Sequence, residues 1–274
     1  MKSIKKYIPN TITSLNLFCG VSGVLCCVHG NVAAAFYFML AAAVFDFCDG
    51  LAARLLGAYS DMGKELDSIS DVVSFGVLPA VMLSCMAFDS FNFNEAHKMA
   101  LPELVSLPRG TAFWLYVVAC SPVLMAVFSG LRLAKFNVDT RQSDKFLGLA
   151  TPAAAILVGA FVCLLYNCSG NAFVDALWSW NAMRIYVPIA VVAISALLVC
   201  ELPMFAFKIK KGCHLFSGPE GVQRIVFFVS VALSAVVALV FRLHFSVVFV
   251  LSMLMYVLIN IFAGLVSCFA QLKK

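Results

Sequence analysis

Charge is what this sequence has least of. Only 12% of its 274 residues are Asp, Glu, Lys or Arg, against about 25% in a typical soluble domain. An ordinary water-soluble fold is therefore excluded, and the hydrophobic share of 63% with a mean hydropathy of +0.99 points to an integral membrane protein. No repeat, low-complexity tract or flexible linker divides the chain, so 1–274 reads as one domain. Four scattered histidines and eleven cysteines without ligand spacing argue against a zinc site, a disulfide framework or a Ser or Cys nucleophile. Cys19, Cys26, Cys27, Cys120, Cys163, Cys200 and Cys268 read as small buried apolar residues, and loop histidines such as His97 and His214 as incidental.

What the sequence does have is long apolar runs. A helix needs about 20 apolar residues to cross the hydrocarbon. The runs predict an all-α, polytopic membrane helix bundle of about eight crossings, near 12–29, 31–56, 64–88, 112–131, 149–167, 184–207, 224–241 and 245–270. Residues 1–11, with Lys2, Lys5 and Lys6 ended by Pro9, read as a short basic interfacial segment. A cleaved signal peptide is the weaker reading, because a second apolar run follows His29, Gly30 and Asn31 directly. Pro188 and the Glu201-Leu202-Pro203 stretch are expected to interrupt the sixth crossing. With both termini inside, Arg54, Lys64, Arg132, Lys135, Arg141, Lys145, Lys208, Lys210 and Lys211 fall on the cytoplasmic side. Only Lys98, Arg109, Arg184 and Arg242 fall outside, as the excess of basic residues in cytoplasmic loops requires. The net charge of +5 then follows from topology and does not signal nucleic-acid binding.

Against this background the stretch 46–71 stands out. Asp46 and Asp49 are three residues apart, Asp67 and Asp71 four apart, so on helices each pair shares a face. One carboxylate at the centre of a bilayer helix costs about 2.5–3.5 kcal/mol on insertion scales. Four need a compensating positive charge, and within the stretch only Arg54 and Lys64 supply any. A divalent cation fits the surplus, since hard carboxylate oxygens suit Mg²⁺, Mn²⁺ or Ca²⁺; Cys48 is filler. Polar interhelix contacts or helix caps would account for one such aspartate, not four.

The spacing Asp46-x2-Asp49-Gly50-x2-Ala53-Arg54-x8-Gly63-x3-Asp67-x3-Asp71 resembles the signature of the CDP-alcohol phosphatidyltransferase family at all eight fixed positions. The segments 8–20 (IPNTITSLNLFCG), 67–80 (DSISDVVSFGVLPA) and 130–144 (GLRLAKFNVDTRQSD) are similar to its phosphatidylserine synthase branch. Ala150 in FLGLATP stands where that branch leads one to expect proline. The resemblance implies transfer of a phosphatidyl group from CDP-diacylglycerol to L-serine with release of CMP, two divalent metals (Mg²⁺ or Mn²⁺), membrane lipids as surroundings and a homodimer. It implies Asp46, Asp49, Asp67 and Asp71 as metal ligands, with Asp71 also the catalytic base, and Asp49, Gly50, Ala53 and Arg54 at the CDP-lipid. The expected place is the cytoplasmic (inner) membrane, with the site facing the cytoplasm.

Read as residues, Gly50 and Ala53 are small enough for a nucleotide to approach the helix backbone, although small-residue helix packing explains Gly50 equally well. Arg132 and Lys135 share a helical face and can bind the carboxylate of the acceptor, with Asn137 orienting its amine. The plainer reading is that they snorkel to the interface. Two other functions compete: transfer to a phosphate-bearing alcohol such as glycerol 3-phosphate or inositol phosphate, and ion-coupled transport. A transporter places its carboxylates near mid-membrane on broken helices rather than at one face beside an arginine.

Overall fold

The computed structural model describes residues 2–94, 109–138, 146–168, 172–204 and 218–272. The chain opens with two antiparallel helices packed along their length, α1 (Lys2–Val28) and α2 (Val32–Leu56). Asn31 caps α2 by accepting from the Ala34 N–H at 3.0 Å. At the other end Gly57 takes the left-handed conformation (φ 58°) and donates to the Ala53 and Arg54 carbonyls, which stops the helix. Three residues later Ser60 caps α3 (Asp61–Asp71), accepting from Gly63 N at 3.1 Å.

From α3 the chain continues without a break through a π-helical segment, Val72–Val77, into α4 (Leu78–Asn94). The remaining elements are α5 (Arg109–Cys120), α6 (Val123–Val138), β1 (Phe146–Leu147), α7 (Thr151–Asn167), α8 (Ala172–Trp178), α9 (Trp180–Val199), β2 (Pro203–Met204), α10 (Gly218–Val240) and α11 (Ser246–Leu272).

Among the described residues seven helical stretches are long and apolar enough to cross a membrane: Tyr7–Val28, Val32–Leu56, Asp61–Phe91, Ala112–Val138, Trp180–Val199, Gly221–Val240 and Ser246–Gly264. α7 and α8, bent 116° to each other, make an eighth if they count as one broken span. The bundle is the all-helical membrane architecture that the apolar runs predict. Three expectations need correction. Pro9 does not end a separate interfacial segment, because α1 runs through it; proline costs the helix one N–H donor, and here its ring is buried and its carbonyl accepts the Thr13 hydroxyl at 3.0 Å. Pro188 likewise sits inside a continuous α9, which ends at Val199, ahead of the Glu201-Leu202-Pro203 break. Cys120 is exposed rather than buried, and none of the described cysteines is in a disulfide. Arg141, Lys145, Lys98, Lys208, Lys210, Lys211, His97 and His214 lie outside the described residues, as does the side chain of Cys268.

The core sits where α2, α4, α7 and α9 meet, with Phe36, Met39, Leu78, Met82, Leu165 and Met183 fully buried. Leu131, Ile185, Ile189, Val192 and Leu239 point outward, as lipid-facing side chains do. The last helix closes over α2: Phe249 meets Phe36 edge-on at 5.7 Å, and Phe245 stacks on Tyr37 at 5.4 Å. β1 and β2 form a two-residue antiparallel clip that joins the start of α7 to the end of α9.

Candidate active site

The end of α2 and the start of α3 meet at one end of the bundle and carry the motif between them. One helical turn separates Asp46 from Asp49, so both project from the same side of α2 toward Asp67 on α3. Carboxylate oxygens of the three lie within 4.8 Å of one another. Asp49 is 6% exposed, and neither its Oδ2 nor the Oδ1 of Asp67, both buried, has a hydrogen-bond partner among the described residues. Two ionised carboxylates at that separation repel by about 3 kcal/mol at an effective dielectric of 20. The basic residues of the motif do not offset this. Arg54 is exposed and donates Nε–H to Gly50 O at 2.9 Å, while Lys64 donates to Asn137 O at 3.3 Å. Among the described residues neither forms a salt bridge with the aspartates. A set of hard oxygens with buried, unpartnered lone pairs and no nitrogen or sulfur among them fits a divalent cation.

Asp71 stands outside that triad. It lies one turn beyond Asp67, is 8% exposed, and accepts a hydrogen bond from Asn16 Nδ2 at 3.2 Å. The interlock of α1 with this region explains why the contact forms. Ser70 Oγ donates to Thr13 O at 3.3 Å and Ser74 Oγ to Asn16 O at 3.1 Å, so hydroxyls in an apolar setting are satisfied on the neighbouring helix backbone. Gly63 is part of the same interlock. A Cβ there would stand 2.9 Å from Asn10 Oδ1 and 3.0 Å from Ser60 Oγ, so a larger residue at this motif glycine would have to displace the Asn10 amide and the capping Ser60 hydroxyl. Gly50 is different. A Cβ on it would meet only Arg54 Nη2, at 4.0 Å, so helix packing does not require glycine at this position and the space above it is open.

The three basic and polar residues on α6 separate into two kinds. Arg132 is 7% exposed; its Nη1 donates to Thr151 Oγ1 at 2.8 Å, its Nε is buried without a partner, and Asp71 and Tyr256 are the ionisable groups that face it. Lys135 pairs with Glu201 at 3.1 Å, and Asn137 donates to Ser68 Oγ at 2.8 Å. Lys135 thereby ties the end of α6 to the end of α9, and Asn137 ties it to α3. Asn16, Thr13 and Thr151 are site residues that the sequence reading does not single out. Asn16 has a usable signal, being an amide inside an apolar crossing where an unsatisfied polar group is costly.

Carboxylates brought together from two helices, with open space over Gly50, form a candidate site at one end of the helix bundle. The family model for CDP-alcohol phosphatidyltransferase matches residues 6–199, and the chain belongs to that family. Among similar curated proteins, the CDP-diacylglycerol–serine O-phosphatidyltransferase of Bacillus subtilis is 31% identical over 161 residues, which is 59% of this chain and 77% of that protein. The archaetidylserine synthase of Methanothermobacter thermautotrophicus is 32% identical over 164 residues, 58% of this chain and 60% of its own length. A CDP-diacylglycerol–serine O-phosphatidyltransferase of Methanocaldococcus jannaschii is 34% identical over 169 residues, 61% and 66% respectively. The family match ends with α9, so α10 and α11 lie beyond it.

Proposed function

We propose that this chain transfers the phosphatidyl group of CDP-diacylglycerol to the hydroxyl of L-serine, giving phosphatidylserine and CMP, at the cytoplasmic face of the membrane. The observation that carries the reading is the juxtaposition of the Asp46, Asp49 and Asp67 triad with a separately held Asp71 and a buried Arg132. Serine as acceptor is supported by the names of the relatives. Asp46, Asp49 and Asp67, with Asp71 beside them, would hold two divalent cations, Mg²⁺ or Mn²⁺, which when bound supply positive charge for the pyrophosphate and the departing CMP.

The chain's own residues do the rest. The open face at Gly50 admits the nucleotide against the backbone of α2, and exposed Arg54 offers charge to a phosphate beside it. The diacylglycerol tails stay in the lipid, so the reacting phosphorus is placed at the interface without lifting the substrate out of the bilayer. Arg132, set by Thr151, receives the acceptor carboxylate. The serine oxygen attacks the phosphatidyl phosphorus, Asp71 takes the hydroxyl proton, and the bond from phosphorus to the CMP oxygen breaks.

Purified protein with CDP-diacylglycerol and Mn²⁺ or Mg²⁺, offered serine, glycerol 3-phosphate and inositol phosphate separately, tests this. CMP release is expected with serine, lost in excess chelator and restored by metal. Release with a phosphate-bearing acceptor and not with serine would reassign the substrate. Full turnover in chelator would remove the metal role.

A further inference from the structure

Asn16 is fully buried near the middle of α1, an expensive place for an amide, and only half of it is accounted for. Its Nδ2 donates to Asp71 Oδ1. That fixes which way the amide faces, since the reverse orientation would set an amide oxygen against a carboxylate oxygen. Its Oδ1 then points away from Asp71 and has no partner among the described residues. The hydroxyls on the same interlock of α1 with α3 and the π-helical segment bond elsewhere: Thr13 donates to Pro9 O, Ser70 to Leu66 O and Thr13 O, and Ser74 to the carbonyl of Asn16 itself. A buried acceptor whose neighbours are all engaged calls for a donor that arrives with the substrate.

The opposite imbalance is present at Arg132. It is close enough to Asp71 to feel its charge, and its buried Nε–H has no partner among the described residues. Around the proposed base there is therefore one unsatisfied acceptor and one unsatisfied cationic donor. An alcohol bearing both an ammonium and a carboxylate answers both at once. An alcohol phosphate answers the guanidinium but brings to Asn16 Oδ1 only a neutral hydroxyl, a weaker donor than an ammonium.

We infer that Asn16 is a specificity-determining residue of the acceptor site, its Nδ2 holding Asp71 and its Oδ1 receiving an N–H of an ammonium-bearing alcohol. This rests on the acceptor reading proposed above. A pocket built to hydrogen-bond an N–H discriminates against analogues lacking it far more strongly than an apolar pocket does, because the pocket's own polar atom is left unpaired.

The test compares serine, N-methylserine and N,N,N-trimethylserine as acceptors in the full-length protein with CDP-diacylglycerol and metal, for the parent and for Asn16→Leu. The parent is expected to use serine and N-methylserine and to lose at least about tenfold in kcat/KM with the trimethylated acceptor, which has no N–H. Asn16→Leu is expected to raise the KM for serine about tenfold or more and to lose the preference for serine over its trimethylated form, while CDP-lipid binding in the presence of metal is retained. An Asn16→Leu protein that is slower with all three acceptors in equal measure would overturn the inference, leaving Asn16 as a support for Asp71 alone. A higher metal requirement with the preference unchanged would also overturn it, making Asn16 a ligand. Should the variant not bind CDP-lipid at all, the parent decides by itself: trimethylserine used as well as serine rules out an N–H acceptor at this position. Failure of the acceptor reading looks different, since the parent would then release no CMP with serine.

Discussion

Asp49 and Asp71 are both buried carboxylates on facing helices, yet their surroundings give them separate work. Asp49 belongs to the triad with an unpartnered oxygen, and Asp71 is held by an amide from α1. Asp49→Asn replaces a charged oxygen by a neutral one where the cluster needs charge, and calorimetry should find metal-dependent nucleotide binding lost together with turnover. Asp71→Asn should lower kcat by about a thousandfold or more, in the range of removing a general base, while nucleotide binding with metal persists. Near-parental turnover in Asp71→Asn would sink the base assignment. Gly50 offers a cleaner separation of fold from function. Because a Cβ on it would approach only the exposed Arg54 Nη2, at 4.0 Å, Gly50→Leu should leave the melting temperature in detergent within a few degrees of the parent and raise the KM for CDP-diacylglycerol about tenfold. Unfolding instead would mean that the glycine serves packing after all.

At the scale of elements, the clip of β1 and β2 sets where α7 begins and therefore where Thr151 meets Arg132. Gly148 has φ +78°, donates to Leu202 O at 2.9 Å, and a Cβ on it would stand 2.7 Å from Leu198 O. Gly148→Ala should destabilise by about 1–3 kcal/mol, read as a lower thermal midpoint, from a left-handed backbone and a backbone clash together. Two residues on, Ala150 already has φ −62° and ψ 131°, the geometry that proline prefers. Ala150→Pro should therefore fold normally and gain about 0.4–1 kcal/mol, so the missing proline noted in the sequence leaves the turn intact. This region also shows what the sequence conceals. The aspartate spacing is legible because helix geometry converts intervals of three and four into a shared face, and the triad assembles as that predicts. Asn16 and Thr151 are not legible, since each acquires its meaning from a partner on another helix, 55 and 19 residues away. Reading Arg132 and Lys135 together as a basic exit ended the fourth crossing near 131, whereas α6 runs to Val138 with Arg132 buried inside it. Proline misleads in the same way: Pro9 and Pro188 look like breaks, but both helices accommodate them.

For the whole molecule, the apolar runs predict about eight crossings where the described helices give seven, or eight with the bent α7 and α8 pair, and the helices alternate so that the end of α2, the start of α3 and the end of α6 share one side. That side carries Arg54, Lys64 and Lys135, and we propose from the excess of basic residues in cytoplasmic loops that it faces the cytoplasm. Cysteine labelling checks the orientation. Exposed Tyr59 and Arg109, replaced singly by cysteine in a background with Cys120 changed to serine, should react from opposite sides, Tyr59→Cys only with a reagent that reaches the cytoplasm. Both reacting from one side would break the crossing order.

The contact of Phe245 and Phe249 with Phe36 and Tyr37 bears on the order in which the protein is made. α2 enters the membrane before α11 does, yet its first turns are covered in part by Phe249 of α11 and by Phe245 just ahead of it. Until α11 docks, Phe36, which is fully buried in the completed fold, has Gly159 of α7 against its ring but lipid in place of Phe245 and Phe249. The helix that carries Asp46 and Asp49 therefore gains its final packing only when α11 arrives, so a nascent chain halted after α9 would already hold every aspartate of the motif on a helix not yet locked in place.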